Sequence, residues 1–376
     1  MNQQSLSALI WGVAELLRGD YKPAEYGKVI LPFTVLRRLD CVLAPTKAAV
    51  LEELKVRQAL GNPDAFLRRK SEVGFYNSSP MDLKAVIGDA GNVAMNLTAY
   101  LQGFSSEVRD IFDRFDFHVQ VERLDKAKLL YLVAEKFASI DLHPAKVSNS
   151  QMGHVFEELI RSFADSVNDS AGERFTPREV IELMVNLLFA EDNEVLTKPG
   201  IVRTIYDPTA GTGGMLSVAE EHLAALNPGA RLTMFGQELN DESYAICKAD
   251  MLIKGQDVSN IAPRNTLSED AHAGKTFDYM LANPPFGVEW KKVEKEVRKE
   301  HETQGFNGRF GPGLPRVSDG SLLFLLHMLK KMRPEAEGGC RFAIVLNGSP
   351  LFTGGAGSGE SEIRRYLLEN DLVEAI

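Results

Sequence analysis

The tetrapeptide Asn283-Pro284-Pro285-Phe286, at the end of the apolar run 277–282, contains the residue types needed to grip an amino group. A residue before proline is pushed into extended geometry and the second proline fixes φ again, so the Asn283 side chain and the Pro284 carbonyl have little freedom. Two acceptors side by side suit an NH2 whose lone pair is delocalised into an aromatic ring. Accepting both hydrogens makes that nitrogen more nucleophilic, and Phe286 can stack on the ring. The alternative explanation is a purely structural one, in which the tetrapeptide is a rigid turn after a strand and Phe286 only fills space.

A second candidate site lies upstream, where the apolar segment 201–206 leads into a glycine-rich loop and a helix pattern. Its candidate ligand-binding residues are Asp207, Thr209, Ala210, Gly211 and Gly213. Glycines let a backbone approach a ligand, and the helix start supplies free N–H groups. Leu216 stands where a dinucleotide fingerprint needs its last glycine, and the loop lacks the lysine of a P-loop. Asp207 would repel a pyrophosphate but can receive a cationic amine, so the predicted ligand is nucleoside-like and poor in phosphate.

Glu238 follows the next predicted strand, 231–236. A carboxylate at the end of the second strand can bind a ribose diol through both oxygens, as in dinucleotide-binding folds. Taken alone, a solvated acid at the end of a strand is the better explanation of the residue. The order of the glycine loop, this acid and the Asn-Pro-Pro-Phe turn favours the ribose role.

This order resembles that of the S-adenosyl-L-methionine-dependent DNA adenine-N6 methyltransferases. A further segment resembles the one that covers the methionine end of the cofactor in the modification subunit of type I restriction-modification systems: Glu173, Arg174, Phe175, Thr176, Pro177 and Arg178. That family also opens with a Leu-Arg-Gly helix and a proline-containing apolar helix, which match residues 16–19 and 29–39 here. The resemblance therefore spans nearly the whole chain.

The resemblance implies that this chain transfers a methyl group from S-adenosyl-L-methionine to N6 of a flipped adenine, with Asn283 and Pro284 as acceptors and Phe286 as the stacking ring. It places the segment from Glu173 to Arg178 and the glycine loop on the cofactor and Glu238 on its ribose. The family often has an acid facing the cofactor adenine, where this chain has Asn265, which can still form a hydrogen bond. No metal is required.

The same resemblance implies partners. They are double-stranded DNA, a specificity subunit that reads the DNA site, and a restriction subunit, with two modification subunits for each specificity subunit and no membrane. Two alternatives stay open. Amide- and RNA-amino-methyltransferases use a similar turn, and a non-catalytic assembly subunit could keep the fold and bind the cofactor as a structural ligand.

Composition is that of a globular enzyme, with 376 residues, 44% of them hydrophobic and 25% charged. The three cysteines are far apart and form no C-x-x-C pair, which indicates a reducing, cytoplasmic location and no zinc site. No apolar run approaches membrane-spanning length, and the first helix has no basic leader. The net charge of −10 is unfavourable for binding DNA without a partner, so a partner is expected to supply the phosphate-binding surface.

Apolar periodicity predicts an α/β chain with an all-helical domain over residues 1–168 and a doubly wound, Rossmann-like methyltransferase domain over 169–376. Predicted helices of the first domain include 48–59, 108–115, 124–137 and 151–163. In the second domain the pattern predicts strands at 202–206, 232–236, near 259–262, around Met280 and at 341–346. The segment 287–319 is too long for an ordinary connection and predicts a substrate-side lid, or disorder. A strand is expected to begin at 374–376, where the resembled family continues, so the chain could be truncated at that sheet edge.

Overall fold

The computed structural model describes residues 3–57, 61–164 and 176–376. The chain divides into two compact units. The first comprises residues 1–171 and 241–258, and the second comprises residues 172–240 and 259–376.

The first unit is helical because apolar residues recur along it at helical spacing and its described residues contain no strand. Its helices are α1 (Gln3–Leu17), α2 (Gly27–Leu43), α3 (Lys47–Arg57), α4 (Asp64–Ser71), α5 (Leu83–Ile87), α6 (Val93–Gln102), α7 (Ser106–Arg114), α8 (Phe117–Lys126), α9 (Leu130–Ala138) and α10 (Asn149–Ala164). Nearly every residue of α2 is buried. This helix is therefore the centre of the unit, and Phe33 within it packs on Phe117 and Phe137.

The basic pair Arg37-Arg38 lies inside this core and not on its surface. Arg38 is 2% exposed and donates to the carbonyls of Leu142 and Val147, while Arg37 pairs with Asp40. These arginines hold the helices together through charge-assisted hydrogen bonds, so the pair is unavailable to a DNA phosphate.

Two features of the first unit differ from the helical pattern. The single helix predicted over 124–137 is two helices, α8 and α9, because Lys128 between them has φ of +60°, which no helix interior accommodates.

The second feature is helix α14 (Asp241–Ile253), which follows the second strand in sequence but contributes Ala245, Ile246 and Ala249 to the core of the first unit. The alternation of helices and strands in the sequence does not predict that α14 packs in the first unit.

The second unit is built on a parallel sheet, as predicted. Its strands are β1 (Val202–Asp207), β2 (Arg231–Gln237), β3 (Ile261–Ala262), β4 (Tyr279–Ala282) and β5 (Arg341–Ile344), in the order β3-β2-β1-β4-β5. All four strand pairs are parallel. The remaining helices are α11 (Arg178–Phe189), α12 (Asn193–Leu196), α13 (Gly214–Leu226), α15 (Glu294–Gln304), α16 (Ser321–Lys330), α17 (Ser349–Phe352) and α18 (Gly359–Glu369). The predicted α/β doubly wound class is confirmed for these residues.

The strand order reverses direction between β1 and β4. From β1 the chain moves outward through β2 to β3, and it then returns to β4 on the other side of β1. In open parallel sheets such a switch point opens a crevice at the carboxyl ends of the strands, where ligands bind. Aromatic rings fill the sheet beneath this point, since Tyr206 stacks on Phe277 with 4.6 Å between ring centroids.

The segment 287–319 is folded within the second unit, so the alternative of plain disorder is wrong, and its role as a substrate-side lid stays a prediction. It contains α15, and it buries Trp290, Val297 and Phe310 in one apolar cluster with α16. Its two ends are joined because the Trp290 N–H donates to the Val317 carbonyl at 2.9 Å. The glycines that look like disorder in the sequence allow close packing instead, since a side chain on Gly311 would overlap the backbone of Phe306 at 2.6 Å.

Among the described residues, no helix is long and apolar enough to cross a membrane. No cluster of metal-ligating side chains was found among those residues either. Residues 371–376 form no strand, so the strand expected there is absent from this structure.

Candidate active site at the carboxyl ends of β1 and β4

The sheet brings the two principal motifs together, although they are far apart in sequence. β1 ends at Asp207 and leads into the glycine loop, and β4 ends at Ala282 directly before Asn283. The two strands are hydrogen-bonded neighbours with Ile205 opposite Tyr279. Both motifs therefore lie at the switch point, where the fold places its ligand crevice.

The glycine loop is held by the end of β2 and is shaped by two residues with positive φ. The Ala210 N–H donates to the Gln237 carbonyl at 2.9 Å. Gly211 has φ of +54° and Gly213 of +86°, which only glycine adopts without strain. A methyl group on Gly211 would meet no nearby protein atom closer than the Thr209 carbonyl oxygen at 4.0 Å. The loop therefore faces open space on its glycine side, as a cofactor-binding loop must.

Glu238 lies beside this loop and binds it directly. One carboxylate oxygen accepts the Gly211 N–H at 2.8 Å, and the other accepts the Asn240 N–H at 2.7 Å. Because each oxygen accepts a backbone N–H from a different turn, these contacts fix the orientation of the carboxylate. The solvated acid considered from sequence is excluded, since Glu238 is half-buried and hydrogen-bonded to backbone.

Asp207 is the acid of the glycine loop, and its pKa is shifted from the ordinary value. It is 1% exposed, and one of its oxygens accepts the Thr209 N–H at 2.8 Å. The pKa of Asp207 is raised to about 7, chiefly by burial and also by the nearby charge of Glu238, although the hydrogen bonds from Thr209 act in the opposite direction. In this structure Asp207 shapes the loop from inside. The contact to a cationic amine expected from sequence stays a prediction.

The side-chain amide of Asn283 has one atom with a hydrogen-bond partner and one atom without. Its Nδ2 donates to the Thr176 hydroxyl oxygen at 2.7 Å, whereas its Oδ1 is buried and has no hydrogen-bond partner among the described residues. A buried carbonyl oxygen without a donor costs roughly 1–3 kcal/mol, so such atoms mark places where a ligand donor fits. Pro284 beside it is buried and Phe286 is half-buried, which leaves part of the ring accessible.

The segment predicted to cover the cofactor is described only from Thr176 onward. Glu173, Arg174 and Phe175 lie outside the described residues. Pro177 is exposed, and α11 begins at Arg178, which forms ion pairs with Glu182 and Glu221. Arg178 is therefore committed to holding α11 and α13 in this structure, and its predicted contact with the cofactor is untested.

Asn265 uses its side-chain oxygen locally, because Oδ1 accepts the Leu267 N–H at 2.9 Å. The neighbouring Thr266 connects this turn to the glycine loop, since its buried hydroxyl donates to the Pro208 carbonyl at 2.6 Å. Thr266 was not among the predicted site residues, although it is adjacent to Asn265. The turn that carries Asn265 is thus bonded to the loop that carries Gly211.

Arg309 is a second residue that the sequence did not reveal. It is 9% exposed, pairs with Glu300, and donates to the carbonyls of Thr266 and Leu267 at 2.6 and 2.9 Å. A lone arginine within a glycine-rich segment carries no local signal of this role. It fixes the segment 287–319 to the turn after β3.

Arg309 also begins a buried hydrogen-bond chain. Burial lowers the pKa of His327 well below its usual value, so the ring is neutral. Because arginine can only donate, the His327 Nδ1 that faces Arg309 accepts, and Nε2–H donates to the Tyr206 hydroxyl at 2.9 Å. Tyr206 in turn donates to the Gln237 side-chain oxygen at 3.1 Å. The chain rigidifies the ends of β1 and β2 beneath the site.

Taken together, these features define a ligand-binding α/β domain that carries a glycine loop, a strand-end acid and an Asn-Pro-Pro-Phe turn on one edge of its sheet. The profile of the N-6 DNA methylase family matches residues 147–376, and the HsdM N-terminal domain matches residues 6–137. The chain therefore belongs to the N-6 DNA methylase family. S-adenosyl-L-methionine is its cofactor, and the open glycine loop and the oriented Glu238 carboxylate fit a nucleoside that carries no phosphate.

Individual relatives agree with this assignment. The chain is similar to the type I restriction enzyme MjaIX methylase subunit of Methanocaldococcus jannaschii, at 24% identity over 98% of this chain and 64% of that protein. It is 26% identical to the HindI methylase subunit of Haemophilus influenzae over 60% of this chain and 46% of that protein. The chain thus spans less than two thirds of the length of these relatives.

Solved structures share the fold. The methyltransferase subunit of a type I restriction-modification system from Streptococcus thermophilus aligns with a TM-score of 0.70 at 23% identity, over 98% of this chain and 79% of that one. A modification subunit of a type I restriction enzyme from Vibrio vulnificus aligns with a TM-score of 0.60 at 21% identity, over 98% and 75% of the two chains. At this identity the likeness supports the architecture.

Proposed function

We propose that this chain is a modification subunit of a type I restriction-modification system and methylates N6 of adenine in DNA. The observation that carries the proposal is the buried Asn283 Oδ1, which has no donor among the described residues and lies at the switch point beside the glycine loop. An exocyclic amine is the donor that fits an Asn-Pro-Pro turn, and the family to which the chain belongs methylates such an amine in DNA.

The chemistry assigned to the site requires no covalent enzyme intermediate. S-adenosyl-L-methionine, when bound, supplies a methyl group on a positively charged sulfur. Asn283 Oδ1 and the Pro284 carbonyl accept the two N6 hydrogens, which stabilises the positive charge that develops on this nitrogen. Phe286 stacks on the flipped base and fixes its plane. Most of the rate enhancement then comes from positioning two reactants and from acceptors already oriented before the reaction.

The residues on the cofactor side have separate roles in this proposal. Gly211 and Gly213 allow close approach of the loop backbone, with Thr209 and Ala210 beside them, and Glu238 binds the ribose hydroxyls. Asn265 faces the cofactor adenine. The segment from Glu173 to Arg178 closes over the methionine end, and Asp207 receives the cationic amine of that end directly or through water.

The partners proposed are double-stranded DNA, a specificity subunit and a restriction subunit, with two modification subunits for each specificity subunit in the cytoplasm. Residues 1–168 are proposed as the part that contacts partners and DNA, and residues 169–376 as the catalytic part. The net charge of −10 supports a division of labour in which another subunit provides sequence-specific DNA binding.

The test is methyl transfer by the chain reconstituted with its specificity subunit on duplex DNA, with a methyl-labelled cofactor. We expect label in N6-methyladenine after digestion to nucleosides. Label in N4-methylcytosine would change the target base, and label in protein or RNA would favour the amide or RNA alternative. Cofactor binding without any transfer by a correctly assembled complex would indicate a non-catalytic assembly subunit.

A further inference from the structure

A phenylalanine on the surface of the second unit is almost fully exposed to solvent. Phe352, the last residue of α17, is 84% exposed, more than any other phenylalanine or tryptophan among the residues that the structure describes. Leu351 beside it is 42% exposed. A ring left in water contributes little to the stability of the fold, because the apolar gain comes from burial. Adjacent exposed apolar side chains are typical of a binding surface.

The turn that presents Phe352 is held in place by an arginine. Arg364 of α18 donates to the carbonyls of Pro350 and Thr353 at 2.8 and 2.7 Å, so its guanidinium joins the two sides of the turn. An exposed side chain on a fixed backbone loses less freedom when it binds than one on a mobile loop. Phe352 is therefore presented in a way that favours binding.

This turn lies at the carboxyl edge of the sheet, because it belongs to the connection that leads from β5 to α18. Ile344 of β5 is opposite Ala282 of β4, and the Val345 N–H donates to the Ala282 carbonyl at 2.9 Å. The two strands therefore end together, directly before Asn283. From Val345 the chain reaches Phe352 within about 18 Å, even with the residues before α17 fully extended.

A second set of contacts joins α17 to the segment after the Asn-Pro-Pro-Phe turn. The Ser349 hydroxyl donates to the buried carboxylate of Asp319 at 3.3 Å, and the Gly320 N–H donates to the Val288 carbonyl at 2.9 Å. Val288 closely follows Phe286 in the chain and is itself 40% exposed. A duplex whose adenine enters the candidate site must therefore lie over the surface from which the exposed phenylalanine projects.

The composition of this connection suits contact with DNA. Residues 342–359 contain no charged side chain, in a chain that is 25% charged and has a net charge of −10. Phosphates therefore do not repel this stretch, and its glycines let the backbone come close to a ligand. Glu289 is exposed in the adjoining turn, so the surface is not basic and the contact that it offers is apolar. The apolar part of a duplex is its base stack, into which proteins insert side chains such as phenylalanine.

We propose that Phe352 enters the base stack of the DNA duplex and occupies the space that the flipped adenine leaves. This inference rests on the proposed function, because it names the residue that holds the duplex open while Phe286 stacks on the extruded base. Extrusion costs stacking and pairing energy, and an aromatic ring that stacks on the neighbouring bases offsets part of that cost. Phe352 acts on the DNA and does not contact the methyl group.

The test measures base flipping and methyl transfer by the complex reconstituted with its specificity subunit, on a duplex that contains the site it methylates. For flipping, 2-aminopurine replaces the target adenine, since its fluorescence rises when it leaves the stack. We expect Phe352→Ala to reduce this rise and to lower kcat/KM for methyl transfer to the ordinary duplex about tenfold, because one stacking contact is lost. Phe352→Trp should restore most of both signals.

A mismatched duplex separates this role from a structural one. A mismatch opposite the target adenine makes extrusion less costly, so on that substrate Phe352→Ala should lose less than about twofold in kcat/KM. Calorimetry and thermal melting should show that the variant is folded and binds S-adenosyl-L-methionine with unchanged affinity.

The matched control is Phe306→Ala. Phe306 is 67% exposed, but its carbonyl accepts from Lys330 Nζ at 3.3 Å, at the end of α16 that leads to the amino end of β5. It therefore lies away from the edge that carries the site. This variant should keep both the fluorescence rise and the rate of methyl transfer.

An unchanged fluorescence rise in Phe352→Ala would overturn the proposal, as would equal losses of kcat/KM on the matched and mismatched duplexes. Loss of co-elution with the specificity subunit would also overturn it and would assign Phe352 to a protein interface. Methyl transfer by the unaltered complex together with normal flipping by the variant sinks only the role of Phe352. Absence of transfer by the unaltered complex sinks the proposed function.

Discussion

The Nδ2 atom of Asn283 donates to the Thr176 hydroxyl oxygen at 2.7 Å, across 107 residues of sequence. In this arrangement the hydroxyl accepts from the amide nitrogen, so Oδ1 is the end of the amide that points away from Thr176. The remaining oxygen is the buried atom without a donor. Thr176 thereby orients the Asn283 amide from a segment that the sequence resemblance assigned to the cofactor.

We expect Thr176→Val, which keeps the shape and removes the hydroxyl, to lower kcat about 3- to 10-fold through the loss of one hydrogen bond. Affinity for S-adenosyl-L-methionine should change little, and Thr176→Ser should restore most of the rate. Single-turnover methyl transfer and calorimetric titration of the cofactor measure the two effects. A loss confined to cofactor affinity would instead assign Thr176 to cofactor binding alone.

Asn283→Ala removes the acceptor itself and is expected to reduce methyl transfer by a factor on the order of 10²–10³, typical for loss of one oriented hydrogen-bonding group. Cofactor affinity should stay nearly intact, because the glycine loop and Glu238 are separate from this side chain. Asn283→Asp keeps an acceptor at this position, and Thr176 can then donate to it, so we expect partial activity. Near-normal N6-methyladenine formation by Asn283→Ala would contradict the mechanism.

Gly211→Ala should weaken cofactor binding because the added methyl group enters the open space on the ligand side of the loop. The matched control is Gly200→Ala, since Gly200 also has a positive φ, +67°, and open space around its Cα, but precedes β1 at the opposite edge of the sheet. Both variants should lose about 1–3 kcal/mol of stability from backbone strain. Only the Gly211 variant should lose affinity in calorimetry, and equal affinity in the two would refute the placement of the cofactor.

Asp207 makes the stability of the protein depend on pH. Its folded-state pKa of about 7 lies above the ordinary value of 3.8, so between about pH 4 and pH 7 the folded state binds more protons than the unfolded state. Stability contributed by this group is therefore present below pH 4 and is lost as the pH rises through 7. Asp207→Asn keeps the acceptor for Thr209 and cannot ionise.

We thus expect the melting temperature of the unaltered protein to fall, relative to that of Asp207→Asn, as the pH is raised from 5 to 8. Calorimetry has the necessary resolution, since about 1 kcal/mol shifts the melting temperature by about 2–4 °C in domains of 150–250 residues. Other titrating groups are common to both proteins and cancel in the difference. Parallel curves for the two proteins would show that Asp207 titrates normally.

The α/β class, the strands and the position of both motifs at strand ends were predictable from the sequence. These features depend on local signals, namely apolar runs, glycines that need a positive φ, and prolines that end β4. Parallel strands present their carboxyl ends at one edge, so once the strands were recognised, Gly211, Glu238 and Asn283 had to approach one another. The chemistry of an Asn-Pro-Pro-Phe turn is also local, because it depends on the restricted backbone of four adjacent residues.

Only the tertiary structure determines which hydrogen-bond partners these groups have. The bonds of Glu238 to Gly211, of Asn283 to Thr176 and of Arg309 to Thr266 join residues that no periodicity connects. Helix α14 joined the core of the first unit because its apolar side chains could be buried there, a choice that its own amphipathic pattern does not contain. In α15 the fold paired Glu300 with the buried Arg309, a pairing that depends on how the chain folds back on this helix and that no helical spacing predicts.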